Sequence, residues 1–172
     1  ISQNNYEDAL TTYEQLYTSN KTREDVLQIL YQLYGAQNNY KKMIEMIERM
    51  ELLSGASEQL SLTKMQIYEQ MGDKRKAQAE LLRLVQKNPL ELNYRVMLGN
   101  WLLQNNKKKE AYNEYQTVLK EDPNNAAAQL SLLDYYRDTK NAKMVDELTR
   151  KLLESKKTEK ETKMALLRQA IM

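Results

Sequence analysis

Apolar residues recur along most of the chain at the three- and four-residue spacing of one face of an α-helix. Val26, Leu30 and Leu33 follow this spacing, and Ala111 and Tyr115 follow it in a later stretch. Short polar breaks such as QNN, MGD and QNNK separate the helical stretches. The sequence has only 4 glycines and 2 prolines, which argues against strands and tight hairpins. The pattern therefore predicts an almost entirely helical chain.

The helical stretches recur with a fixed period of 34 residues, which is also the separation of the two prolines, Pro89 and Pro123. Several sets of positions keep this register along the chain without an insertion. Two of them are the apolar set Leu16, Met50, Leu84, Val118 and Leu152 and the turn set Asn4, Asn38, Gly72, Asn106 and Lys140. Self-similarity at a fixed period, with two helices per period, predicts a protein built from helix–turn–helix repeats.

One unit, LGNWLLQNNKKKEAYNEYQTVLKEDP, resembles the tetratricopeptide repeat particularly well. Leu98, Gly99, Ala111, Tyr115 and Pro123 occupy that family's signature positions, and the resemblance covers essentially the whole chain. It implies an all-α fold, a right-handed α-solenoid of stacked antiparallel helix pairs. The signature residues are packing residues, so the resemblance is specific for the fold and weak for the partner.

The period also predicts the domain organisation, a single helical-repeat domain over residues 1–172. It consists of the second helix of a partial repeat at 1–21, complete repeats at 22–55, 56–89, 90–123 and 124–157, and the first helix of a further partial repeat at 158–172. Both ends carry apolar residues that need cover, namely Tyr6, Leu10, Tyr13, Tyr17, Met164, Leu167, Ala170 and Ile171. Since a repeat buries its faces against its neighbours, we expect a segment of a longer array or larger protein, or ends that pair between molecules.

Single residues predict local features of the repeats. Gly72 and the asparagines of the turn set are expected to adopt the left-handed conformation that closes a helix. Asp73 and Asn141 are placed to cap the helices that follow them. Lys64 stands where other repeats have leucine, and we expect it to lay its methylene groups over the core and reach water.

Composition removes most kinds of catalytic chemistry. The chain has no histidine and no cysteine, and its glycines are isolated rather than gathered in a phosphate-binding loop. The carboxylates lie close to lysines at helical spacing, as expected of solvated helix faces. No set of residues fills the roles of a catalytic site, so the sequence predicts a non-enzymatic protein without cofactor or metal.

Charge and hydropathy say little about location. The 26 basic and 24 acidic residues interleave, and the net charge of +2 gives no field that would attract nucleic acid or an anionic membrane. No apolar run approaches the roughly 18 residues of a transmembrane helix, and the first residues lack the pattern of a signal peptide. The chain is compatible with a cytoplasmic location and with a periplasmic or cell-envelope one.

The surface predicted to carry function is the concave face of the solenoid, which the first helix of each repeat lines in proteins similar to this one. The predicted groove residues are Gln28, Gln32, Gln59, Leu62, Gln66, Glu69, Asn93, Val96, Met97, Asn100, Leu103, Leu130, Asp134 and Arg137. The amides can bond a peptide backbone, and Val96, Met97 and Leu103 can receive an aliphatic side chain. The alternative is that these are ordinary surface residues.

Three functions follow from this sequence. The favoured one is a protein–protein interaction scaffold that binds a peptide or helical segment in the groove. The second is a structural spacer or assembly segment of a larger protein, for example one of the cell envelope. The third, RNA binding, ranks lowest because it needs a basic groove and this one is neutral to slightly acidic. A clamp for a partner's C-terminal carboxylates, known in the family, is not favoured because only Asn100 matches it.

Overall fold

The structure is a computed structural model that describes residues 3–171, with side chains described for residues 5–168. The described residues form ten α-helices and no strand, which confirms the all-α prediction. In chain order the helices are α1 (Gln3–Ser19), α2 (Glu24–Ala36), α3 (Tyr40–Ser54), α4 (Glu58–Gln70), α5 (Lys74–Lys87), α6 (Leu92–Gln104), α7 (Lys108–Glu121), α8 (Ala126–Asp138), α9 (Ala142–Glu154) and α10 (Lys160–Ile171). Among them, no helix combines the length and the apolar content needed to span a bilayer.

The predicted turn set adopts the left-handed conformation in four of its five members, whereas Asn4 lies inside α1. The φ angles are 54° at Asn38, 74° at Gly72, 61° at Asn106 and 56° at Lys140. In each of these turns the backbone N–H of the next residue donates to the carbonyl oxygen five residues before it, at 2.8–2.9 Å. This is the bond of the Schellman motif, which satisfies a free carbonyl at the helix end. The 34-residue register therefore repeats the same helix terminus four times.

Helix starts and stops also follow the sequence prediction. Asp73 accepts a hydrogen bond from the backbone N–H of Lys76 at 3.1 Å, and Asn141 accepts one from Met144 at 3.3 Å. α5 and α7 each end two residues before a proline, which cannot continue the helical hydrogen-bond ladder. Short-range sequence signals thus set most of the element boundaries.

Contacts group the chain into two compact units, the N-terminal unit (residues 1–84) and the C-terminal unit (residues 85–172). The predicted single domain and the predicted repeat boundaries remain predictions.

One hydrophobic cluster of the N-terminal unit lies between α1, α2 and α3, and its buried residues are Val26, Leu27, Leu30, Tyr34, Met46 and Met50. Leu10, Tyr13 and Tyr17 of α1 pack against this cluster. These three residues are among those predicted to need cover, and they find part of it within their own unit.

The C-terminal unit contains a cluster of Val96, Val118 and Ala128 and a second one of Leu133, Leu152 and Leu166. Leu166 brings α10 into the second cluster, whereas Met164 and Leu167 on the same helix are 45% and 49% exposed. The side chains of Ala170 and Ile171, also predicted to need cover, lie outside the described residues.

Candidate functional site

A cleft opens in the N-terminal unit beside two of the predicted groove residues. Gln28 and Gln32 are exposed one turn apart on α2, and both line the cleft, whose volume is about 330 Å³. Its other lining residues come from α2, α3 and α4 and are Tyr31, Ile47, Met50, Leu60 and Thr63. We call this the α2–α4 cleft. Its volume lies at the lower end of the range of about 300–1,000 Å³ typical of ligand-binding clefts.

The chemistry of the α2–α4 cleft is that of neutral hydrogen-bonding groups above an apolar floor. Each glutamine amide carries two donors and an acceptor oxygen, and the floor consists mainly of Ile47, Met50 and Leu60. Burial raises the pKa of Tyr31 above its ordinary value, so this phenol stays protonated and available as a hydrogen-bond donor at neutral pH. The cleft therefore suits an uncharged polar backbone with an apolar side chain.

The remaining predicted groove residues of the N-terminal unit lie on α4. Gln59 and Gln66 are exposed, whereas Leu62 and Glu69 are half-buried. Gln59 donates a hydrogen bond of 3.4 Å to Thr63 and so borders the α2–α4 cleft through a lining residue. Sequence reasoning missed the floor of the cleft because Ile47 and Met50 occupy core positions of the repeat.

In the C-terminal unit the predicted apolar strip is only partly available. Val96 is 5% exposed and packs with Val118 of α7 and Ala128 of α8. Neighbouring helices cover most of Val96, so it offers little surface to a ligand side chain, and its place in a groove stays a prediction. Met97 and Leu103 are half-buried and Asn93 is exposed.

The side chain of Asn100 is hydrogen-bonded within the C-terminal unit. Its side-chain oxygen accepts a hydrogen bond of 2.8 Å from the hydroxyl of Tyr115, whose side chain is fully buried. Burial raises the pKa of Tyr115, with a smaller contribution from the charge of Asp134, so the phenol remains a donor. The oxygen of Asn100 thus satisfies a buried hydroxyl, which fixes the orientation of its amide group.

The last three predicted residues lie on α8. Leu130 packs against the cluster of Leu133, Leu152 and Leu166. Asp134 and Arg137 are exposed and form an ion pair of 3.1 Å, so they present no net charge. Arg137 also lines a cavity of about 370 Å³ together with residues of the α8–α9 turn and of α9.

A buried group of charges in the N-terminal unit corrects the expectation for Lys64. Only 4% of this residue is exposed, and its ammonium pairs with Glu51 at 2.8 Å and with Glu80 at 3.1 Å. Arg83 pairs with the same two carboxylates at 2.7 and 2.8 Å and donates to Ser61 at 2.9 Å. Lys64 does not reach water, because α3 and α5 each place a carboxylate beside it.

We call the four paired residues the charge group; they are Glu51, Lys64, Glu80 and Arg83. Its charges pair with one another, as in a network that stabilises the fold. Burial raises the pKa of Glu51, but hydrogen bonds from Lys64 and Arg83 lower it more, and the net pKa lies below the usual value. Two cations face two carboxylates, which leaves no net charge for a ligand. Over the part of the chain that the structure describes, no group of three or more acidic side chains is placed to hold a metal ion.

The comparisons with known proteins agree with the repeat geometry. Residues 62–126, and again residues 96–143, match a family model described as tetratricopeptide repeat. The part of the chain from residue 62 to residue 143 belongs to the tetratricopeptide repeat family. The fold of the chain is the all-α tetratricopeptide repeat solenoid that the sequence predicted. No curated protein matches the sequence.

Solved structures of other proteins share the fold. YrrB, described as a TPR protein with an unusual peptide-binding site, superposes with a TM-score of 0.60 at 19% identity, over 98% of this chain and 85% of YrrB. A MamA structure superposes with a TM-score of 0.59 at 18% identity, over 94% of this chain and 87% of MamA. A second MamA structure gives 0.54 at 16% identity, over 86% and 85% of the two chains. At these identities the similarity shows the fold alone.

Proposed function

We propose that this chain is a non-enzymatic protein–protein interaction scaffold whose binding surface includes the α2–α4 cleft. The observation that supports the proposal most is the position of Gln28 and Gln32, both exposed, at the edge of an apolar-floored cleft of about 330 Å³. YrrB, which has a similar fold, is described as having a peptide-binding site. A peptide or helical segment of a partner is the ligand class that these features favour.

The proposed mode of binding follows from the lining residues. One apolar side chain of the partner enters the cleft and packs on Ile47, Met50 and Leu60, which are already positioned by the core. Amides one turn apart on α2 bond the partner's backbone on either side of that anchor. An anchor in a preformed cleft contributes most of the affinity in such complexes, while the surrounding polar contacts set the register.

A structural spacer is the second candidate, and the C-terminal unit gives the observation that favours it. Val96, Asn100 and Leu130 were predicted to face a ligand, yet each is engaged in packing or hydrogen bonding within the unit. Surfaces used in this way serve rigidity rather than recognition. RNA binding ranks below both, because the α2–α4 cleft is lined by no cationic side chain.

The test is an affinity capture from an extract of the source organism with three forms of the chain. These are the wild type, the double variant Gln28→Arg/Gln32→Arg, and the control Gln15→Arg, which changes an exposed glutamine on α1 of the same unit, outside the lining of the cleft. All three must show the same thermal unfolding. The proposal expects a partner that wild type and control retain and the double variant loses. If all three retain the same proteins, or none, the spacer becomes the better account.

A further inference from the structure

The 34-residue register allows the gaps between successive second helices of the repeats to be compared. In the first gap, between α1 and α3, Glu14 pairs with Arg49 at 3.3 Å and accepts a hydrogen bond from Tyr34 at 2.8 Å. The guanidinium of Arg49 also lies 4.9 Å from the ring centre of Tyr17. A cation on one helix and a carboxylate on the other bridge this gap.

The second gap, between α3 and α5, is bridged in the same way one period later. Arg83 follows Arg49 by 34 residues, and it pairs with Glu51 across the gap at 2.7 Å. Lys64 of α4 lies beneath this pair and contacts the same carboxylate. The basic position is thus used twice for a bridge to an acid on the preceding second helix.

The gap between α7 and α9 keeps the cation and lacks the acid. Lys151 occupies the register position of Arg49 and Arg83, but Gln116 stands in place of Glu14 and Leu119 in place of Glu51. Among the described residues no carboxylate pairs with the ammonium of Lys151. Glu147, one turn before Lys151 on α9, pairs instead with Lys143 at 3.8 Å.

A cleft of about 330 Å³ occupies this gap, and we call it the α7–α9 cleft. Leu132 of α8 forms part of its floor, Met144, Glu147 and Leu148 belong to α9, and Gln116 and Lys151 lie on its two walls. Salt bridges occupy the equivalent positions in the first two gaps, whereas here apolar side chains stay accessible. The α7–α9 cleft therefore combines an apolar interior with a lysine that no carboxylate bridges, while the carboxylate in its lining, Glu147, pairs with Lys143.

We infer that the α7–α9 cleft is a second docking site, for a partner segment that presents an aliphatic or aromatic side chain next to a carboxylate. The apolar side chain packs on Leu132 and Leu148, and the carboxylate pairs with Lys151 as Glu51 pairs with Arg83. Charge complementarity selects the acidic segment, and burial of the side chain supplies most of the affinity. This site is distinct from the α2–α4 cleft and does not depend on the function proposed for it.

The 34-residue register suggests a substitution that tests the inference directly. Gln116→Glu restores the acid that the first gap has at this position, so the new carboxylate pairs with Lys151 and repels an acidic segment. Lys151→Glu reverses the charge of the site itself. Gln104→Glu makes the same chemical change at an exposed residue of α6 outside the cleft and serves as the matched control.

The probe is a displayed library of random twelve-residue peptides, first depleted on Gln116→Glu and then selected on the wild type. We expect enrichment of peptides in which Asp or Glu lies within two positions of a large apolar residue. They should bind wild type and Gln104→Glu equally, and bind Gln116→Glu and Lys151→Glu at least tenfold more weakly. Replacing the peptide's acid by Lys should restore binding to Lys151→Glu. Equal thermal unfolding of the four proteins shows that the changes act at the site.

Three results would overturn the inference. One is the absence of enriched peptides. Another is enrichment of peptides without an acid, or of peptides that bind Lys151→Glu as well as wild type. The third is dimerisation of the wild type in sedimentation that Lys151→Glu abolishes, because a second copy of the chain would then be the occupant.

Discussion

The ring of Tyr115 lies so close to Gly99 that a Cβ atom at position 99 would come within 2.5 Å of Tyr115 Cε1. The two residues join α6 to α7, and Tyr115 is fully buried at this contact. A glycine permits this approach because it places no side chain between the helix and the ring. The two signature positions of the repeat are therefore a contact pair.

Gly99→Ala should destabilise the chain by about 1–3 kcal/mol, the usual cost of overpacking a well-packed core. The clash outweighs the gain of about 1 kcal/mol that alanine has over glycine inside a helix. Urea unfolding at neutral pH measures the difference. Gly35→Ala is the control, since its Cβ would meet only the flexible end of Met43 at 3.3 Å. Equal effects of the two changes would contradict the account of the Gly99 contact.

Removal of the Tyr115 ring should have the larger effect. Tyr115→Ala should cost about 3–5 kcal/mol, as for other buried aromatic truncations. Tyr115→Phe removes only the hydrogen bond to Asn100 and should cost about 0.5–1.5 kcal/mol. Both values come from the same urea unfolding experiment. A loss near zero for Tyr115→Ala would mean that this position is not core.

The turns and helix ends could be predicted from the sequence because their causes are local. The left-handed residue at Asn106 and the cap at Asp73 depend on neighbours a few positions away, and the 34-residue register repeats the signal. Tyr115 was placed in the core for the same reason. Periodicity determines which face of a helix points inward without reference to any particular partner.

The parts that sequence reasoning missed depend on contacts between helices. Lys64 is buried because Glu51 and Glu80 approach it from two other helices, and no helical spacing encodes that meeting. Val96 lies at the edge of the apolar stripe, where the neighbouring helices decide whether it is covered. The sequence did contain a signal for the burial of Val96. The positions 34 residues before and after it are also apolar, namely Leu62 and Leu130.

The charge group around Lys64 should behave as one unit. Lys64→Ala should cost about 3–5 kcal/mol, because removal of one partner leaves buried carboxylates incompletely paired. The combination Lys64→Leu/Glu80→Met uses the residues found one period earlier and leaves the Glu51–Arg83 pair in place. It should therefore be more stable than Lys64→Leu alone. A double-mutant cycle from urea unfolding measures the coupling, and strict additivity would contradict a shared network.

Stability should fall in acid partly through Glu51. Its pKa lies below the usual value in the folded state, because hydrogen bonds from Lys64 and Arg83 outweigh the effect of burial. The resulting stabilisation is complete above the unfolded pKa of about 4.3 and is lost as the pH falls through the lowered folded pKa. Free energies of unfolding measured from pH 7 to pH 3 should decline less steeply for Glu51→Gln, which should also be less stable at pH 7. Parallel curves for the two proteins would show that Glu51 carries no such linkage.

Site-specific photo-crosslinking tests the central proposal, recognition of a partner protein at the α2–α4 cleft, most directly. A benzophenone amino acid replaces Gln32 at the edge of the cleft or, as the control, Gln15 on α1 of the same unit, in cells of the source organism. The account predicts a discrete crosslinked species at position 32 that is absent at position 15 and disappears when Gln28→Arg is added. No crosslinked species at position 32, or the same species at both positions, would contradict it.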